Sequence, residues 1–286
     1  GYDTLGVNTT GASNVAVGMQ SLKLNTTGGD NTAVGRDTLD ANTTASENTA
    51  IGAAALTDNT TGTSNTAVGR MALGNNTTAN GSTAVGTDAL FTNTTGADNT
   101  SIGHNSMFAN TTGADNTAVG SFALDANTTG IRNVAVGNYA LSANTTAHNN
   151  TAIGYGALYA NTTGYPNTAI GRDSLTANTT GASNTAVGYE TLDACTTGAS
   201  NTAVGHQALT AVSDGDNNTA FGETAGASIT TGDNNTAIGK GSLNSVTTGY
   251  KIQCLGSGAG TTFTTGSDST MIGYNTQPAA ADNYNT

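Results

Sequence analysis

The sequence predicts an all-β chain, a parallel β-solenoid (β-roll) of about 17 coils with 17 residues in each. Three observations predict it. Glycine returns at Gly18, Gly35, Gly52, Gly69 and onward to Gly256 and Gly273 with no insertion or deletion, and Gly1 is in phase. A fixed period over nearly the whole length marks a repeat architecture, and a unit this short cannot bury an apolar face unless units stack. The stretch before each glycine, as in Asn31–Gly35, is short, β-branched and alternating, which suits a strand. A helix is excluded because the Asn-Thr-Thr-Gly loop leaves room for about two helical turns, and those would be rich in Thr and Val.

Composition alone points the other way. Only 9% of residues are charged and 5% aromatic, with no Trp, a poor recipe for a globular core and close to that of disordered chains. A disordered chain has no reason to hold apolar residues at a constant interval, so the period decides. It implies one elongated body over residues 1–273, with 274–286 as a terminal tail or linker, because Asn-Thr-Gln-Pro-Ala-Ala-Ala-Asp has no repeat character. The chain starts in mid-pattern, as a processed or truncated piece of something longer would.

Numbered from its glycine, the consensus coil is G-x-x-A-L-x-A-N-T-T-G-A-x-N-T-A-V. The apolar seventeenth column (Val17, Val34, Ile51, Val68) and the Leu-rich fifth (Leu5, Leu22, Leu39, Leu56) are expected to face the interior. Leu and its neighbours are expected to begin a second strand. Gly and Asn mark the corners, since both tolerate left-handed backbone angles. The Ala of the sixteenth column (Ala16, Ala33, Ala50, Ala67) reads as a flat, narrow outer face suited to chain–chain packing.

The eighth column carries the most information. It holds Asn8, Asn25, Asn42, Asn59, Asn76, Asn93, Asn110, Asn127, Asn144, Asn161 and Asn178, and then Cys195, Val212, Ile229, Val246 and Phe263. A position that exchanges Asn for Val and Phe points inward, and a buried Asn needs partners. Copies stacked one coil apart supply them, which makes this column a structural amide ladder. The competing reading is glycosylation, because every Asn-Thr-Thr also fits the acceptor pattern. The fourteenth column (Asn14, Asn31, Asn48, Asn65) reads as a second ladder or a row of corner caps. Beyond Cys195 the pattern loosens, and Gly226 and Gly260 stand where Leu is the rule.

The outer columns vary. Phe91, Phe108, Phe122, Tyr139, Tyr155 and Tyr159 fall within neighbouring coils and form a candidate contact patch for sugar or a partner chain. No catalytic set emerges: His104, His148 and His206 lie in variable columns, and no Ser-His-Asp or Cys-His arrangement can be placed. No enzymatic activity, cofactor or metal is expected; the calcium-binding nonapeptide is missing, and scattered residues such as Asp30, Asp37 and Asp98 read as solvated surface. The net charge of −12 disfavours nucleic acid. No long apolar run suggests membrane insertion in this segment, and the start does not resemble a signal peptide. Cys195 and Cys254 lie more than three coils apart, well over ~10 Å at ~4.8 Å per coil, out of reach of a disulfide. Both read as buried apolar residues.

Asn-Val-Ala-Val-Gly at Asn14–Gly18 and Asn133–Gly137, and Asn-Thr-Ala-Ile-Gly at Asn48–Gly52, resemble the head repeats of trimeric autotransporter adhesins, and related repeats resemble segments of bacteriophage tail fibres. The resemblance implies a left-handed parallel β-roll, a trimer, and binding to host or matrix surfaces. It departs in the period, which is longer here than the family's usual coil. The expected function is a structural extracellular fibre segment, on a cell surface or virion, with an adhesive or display role. The expected partners are copies of the chain, as a trimer or an end-to-end filament, and a surface glycan or host surface. An uncapped first coil supports the filament. Ice binding by regular Thr rows is the third reading; against it, the Thr-Thr pair is adjacent, so alternation should turn one Thr inward.

Overall fold

A computed structural model describes residues 1–277 of the chain. Over the described residues the protein is an all-β solenoid with sixteen short strands, and within each unit successive strands pair in parallel. The chain divides into two units, Gly1–His148 and Asn149–Thr286. The first holds β1 (Val15–Val17), β2 (Thr32–Val34), β3 (Thr49–Ile51), β4 (Thr66–Val68), β5 (Thr83–Val85), β6 (Thr100–Ile102), β7 (Thr117–Val119) and β8 (Val134–Val136). The second holds β9 (Thr151–Ile153), β10 (Thr168–Ile170), β11 (Thr185–Val187), β12 (Thr202–Val204), β13 (Thr219–Phe221), β14 (Thr236–Ile238), β15 (Ile252–Leu255) and β16 (Ser269–Ile272). Register is strict, so like meets like: Thr49 pairs with Thr66, Ala50 with Ala67 and Ile51 with Val68.

Each coil contributes one strand, not two. The expected second strand at Leu does not form, because Leu22, Leu39 and Leu56 have φ near +50°, a left-handed angle incompatible with extended backbone. That angle costs an L-residue about 1–2 kcal/mol, and full burial of the Leu side chain returns about 2 kcal/mol. The backbone outside the strands still pairs from coil to coil: Leu22 N donates to Thr38 O (3.0 Å) and Thr26 N to Thr43 O (2.9 Å). Buried N–H and C=O groups in the irregular arc thereby find partners. Gly52 illustrates the corner. Its φ is +132°, and a Cβ there would stand 2.5 Å from Gly69 O, so the close stacking of coils admits only glycine.

The core follows a period of three and then the strand. Leu22, Asn25, Gly28 and Asn31 point inward, followed by Ala33. This corrects two expectations. The seventeenth column does not face the interior: Val17 is 57% exposed, Ile51 41% and Ile272 68%. The sixteenth-column Ala is the buried one, with Ala33, Ala50 and Ala67 fully inside, so it offers no outer packing face. In Thr-Ala-Val the central residue takes the inner side, and Leu and two Asn already fill the cross-section. Only a small side chain fits there.

Where the pattern loosens, volume is exchanged between columns five and eight. Leu209 and Leu243 stand above Val212 and Val246, whereas Gly226 accompanies Ile229 and Gly260 accompanies Phe263. A Cβ at Gly226 would lie 2.7 Å from Leu209 Cδ2 and 3.1 Å from Ile229 Cδ1, so the Ile occupies space a Leu would need. Near the end, Asn275 N still donates to Ser257 O (2.9 Å), and Thr276 O accepts from Gly260 N (2.8 Å). The rest of the expected tail, 278–286, lies outside the described residues.

Candidate functional site

The eighth-column asparagines are fully buried from Asn25 to Asn178, whereas Asn8 in the first coil is exposed. Within each unit the buried amides donate twice, to the coil before and to a carbonyl three residues on. Asn42 Nδ2 donates to Asn25 Oδ1 of the coil before (2.8 Å) and to Ala45 O three residues on (3.1 Å). Asn93, Asn110 and Asn127 repeat both bonds. A sugar on such a nitrogen would replace one of those N–H donors and need space at an atom with no solvent access, so glycosylation would require the coil to open.

The fourteenth column is a second ladder with a different wiring. Asn31 Oδ1 accepts the backbone N–H of Asn48 (3.0 Å), and Asn31 Nδ2 donates to Ala45 O (2.9 Å). The two ladders thus converge on the eleventh-column carbonyl from both sides, as at Gly113 O, which accepts from Asn110 and Asn99.

That wiring explains how each ladder ends. The fourteenth-column ladder stops at Asn235, and its Oδ1 still accepts from the backbone N–H of Ile252 (3.0 Å), a donor every residue but Pro supplies. The eighth-column ladder stops at Asn178, whose Oδ1 needs a side-chain donor from the next coil. Cys195 cannot reach it, and Asn178 Oδ1 is buried without a partner. The Cys195 thiol points instead to Gly198 O (3.6 Å). Both cysteines are free and buried, and burial pushes their thiols up, to about 11 for Cys195 and about 12 for Cys254.

The aromatic residues of the expected patch take part in ring contacts within each unit. In the first unit Phe91 stacks on Phe108 with centroids 5.6 Å apart. Phe122 stacks on Tyr139 at 5.3 Å with planes 3° apart, and His104 meets Phe122 edge-on. In the second unit Arg172 lies over the rings of both Tyr155 (5.8 Å) and Tyr189 (5.6 Å), and Tyr189 stacks on His206. Tyr159 is an exposed sixth-column ring. The stacked rings turn faces to one another, which leaves mainly edges and hydroxyls for a ligand. Arg172, Tyr189 and His206 belong to this surface although they lie outside the expected patch; their succession in the second column with Tyr155 is the signal for them.

Charges lie on the same outer columns. The Tyr189 hydroxyl, then Gln207, hold Glu190 below the usual carboxylate range, with Gln207 Nε2 donating to Glu190 Oε2 (2.8 Å). Lys240 likewise depresses Glu223 across a 2.9 Å ion pair. Exposed pairs of this kind add little stability. Among the described residues, no group of three or more His, Cys, Asp or Glu could hold a metal ion, and no helix is long and apolar enough to cross a membrane.

These features define a β-solenoid repeat protein whose interior is built from side-chain ladders. The chain matches no protein-family model, no curated protein and no solved structure.

Proposed function

We propose that the chain is a structural extracellular fibre segment of a cell surface or virion, rigid along its coils and displaying variable side chains. One observation carries this reading: the inward columns are satisfied by their own copies one coil away, Leu on Leu, Asn on Asn, Ala on Ala. Such a cross-section adds coils without redesign, and the residues that vary fall on the outer second, third, sixth and thirteenth columns. The sequence resemblance to adhesin heads and tail-fibre repeats agrees with it. Adhesive contacts would use the edges and charges of the Phe122–Tyr139 and Tyr155–Arg172–Tyr189 runs.

Size-exclusion chromatography with light scattering on the full chain, followed by binding to immobilised glycans and matrix proteins, tests the proposal. A discrete species of three chains whose surface binding weakens in Tyr139→Ala and Arg172→Ala, with unchanged thermal stability, is expected. Long polydisperse particles would replace the trimer with an end-to-end filament. A 28.1 kDa monomer that binds none of these surfaces would overturn the proposal.

A further inference from the structure

The outer face of strands β2–β7 carries two uninterrupted rows. Thr32, Thr49, Thr66, Thr83, Thr100 and Thr117 form one, and Val34, Ile51, Val68, Val85, Ile102 and Val119 form the other. The inward Ala or Ser between them keeps both rows on one side, so this face does not depend on the adjacent Thr pair of the ninth and tenth columns. These Thr hydroxyls have no partner among the described residues. The contrast is the ninth column, where Thr26, Thr77 and Thr94 each donate the hydroxyl to the next coil's carbonyl at 3.0–3.1 Å. No charged or aromatic residue lies on the face; Glu47, Asp98 and Asp115 flank it on one side and Arg36 and Arg70 on the other.

We propose that this face binds ice. Its hydroxyls and methyl groups repeat every ~4.8 Å along the stack and sit ~7 Å apart across it, all in one parallel register. The strand repeat is close to the oxygen repeat on ice surfaces. Apolar groups restrict the orientation of the water beside them, and free hydroxyls in the row beside the Val and Ile side chains anchor that water. A lattice is the occupant for which identical rungs are an advantage, since each added coil repeats the same contact. A second copy of the chain is the rival occupant; strands β2–β7 alone, about 10 Å by 30 Å, offer it roughly 300 Å², against the ~800 Å² per partner of a stable interface. Crystalline polysaccharide fits poorly too, because recognition there favours open aromatic faces and this surface has none.

The test uses the full chain and two readouts, thermal hysteresis and incorporation of labelled protein into a growing ice hemisphere. The unmodified chain is expected to be taken up and to show hysteresis. Thr83→Tyr and the double variant Thr66→Tyr/Thr83→Tyr should reduce hysteresis at least tenfold. Thr78→Tyr, on an exposed column of the irregular arc, should leave it unchanged. Circular dichroism confirms the fold, and Thr83→Val, which keeps the shape, should give a smaller loss if the Tyr variants misfold. Exclusion of the unmodified chain from ice overturns the proposal. So does equal loss in Thr78→Tyr, binding to crystalline cellulose or chitin without ice uptake, or an oligomer that Thr83→Tyr dissociates.

Discussion

The end of the eighth-column ladder allows one substitution to be compared at two places. Val already fits this column at Val212 and Val246 beneath a Leu, so Asn→Val keeps the packing and alters only the bonding. At Asn93 the change removes the donor to Asn76 Oδ1 (3.1 Å) and leaves that oxygen buried and orphaned. Asn110 Nδ2 also loses its acceptor on Asn93 and keeps Gly113 O. Gly96 O still accepts from Asn99 Nδ2 (3.1 Å). The orphaned acceptor costs about 1–3 kcal/mol, the lost bond about 1, and the added apolar burial returns about 1. The net is about 2 kcal/mol. At Asn178 the same change deletes the existing orphan while creating one at Asn161 Oδ1, and Gly181 O keeps its bond from Asn167. The count of orphans is unchanged, so Asn178→Val should stay within about 1 kcal/mol of the parent chain. Guanidinium unfolding followed by far-UV circular dichroism, with the slope held constant, reads both values. Equal costs at the two sites, or a larger cost at Asn178, would refute the ladder reasoning.

Three further outcomes follow from the packing. Gly226→Leu should destabilise by about 1–3 kcal/mol through overpacking; adding Ile229→Val, which recreates the Leu209–Val212 pair, should recover at least half of it, a non-additivity that a double-mutant cycle measures. Ala54, held at φ +55°, should gain about 0.5 kcal/mol on substitution by Gly, because relief of the left-handed angle exceeds the added chain entropy; a lower melting temperature for Ala54→Gly would contradict this. Burial raises the Asp125 carboxyl, and the Ser142 hydroxyl opposes it only in part. With the folded pKa above the unfolded one, the folded form binds more protons just above pH 3.8, and stability falls as pH rises through that window. Asp125→Asn should therefore be stabilising at pH 7, and the gain should shrink toward pH 3.8 and vanish below it, as read from melting temperature against pH.

Much of this architecture is legible in the sequence. The period sets the stack, because no unit could bury its Leu alone. The exchange of Asn for Val and Phe in one column places that column inside. The coupling of Gly226 to Ile229 and of Gly260 to Phe263 was also present, three residues apart, as compensation of volume. The aromatic residues could be placed on the outer columns, but not the direction of their faces, since stacking of Phe122 on Tyr139 depends on rotamers set by both coils.

The sequence by itself determined the repeat, the parallel register, and the Leu and Asn columns of the interior. A strict 17-residue interval leaves no other way to pair identical residues. Only the tertiary structure decided which side of Thr-Ala-Val is inner. Alternation specifies two faces and not their assignment, and the answer depends on how much room Leu22, Asn25 and Asn31 leave across the coil. The same crowding decided the backbone at Leu: no local preference favours a Leu at φ near +50°, and only burial against the neighbouring coils holds it there.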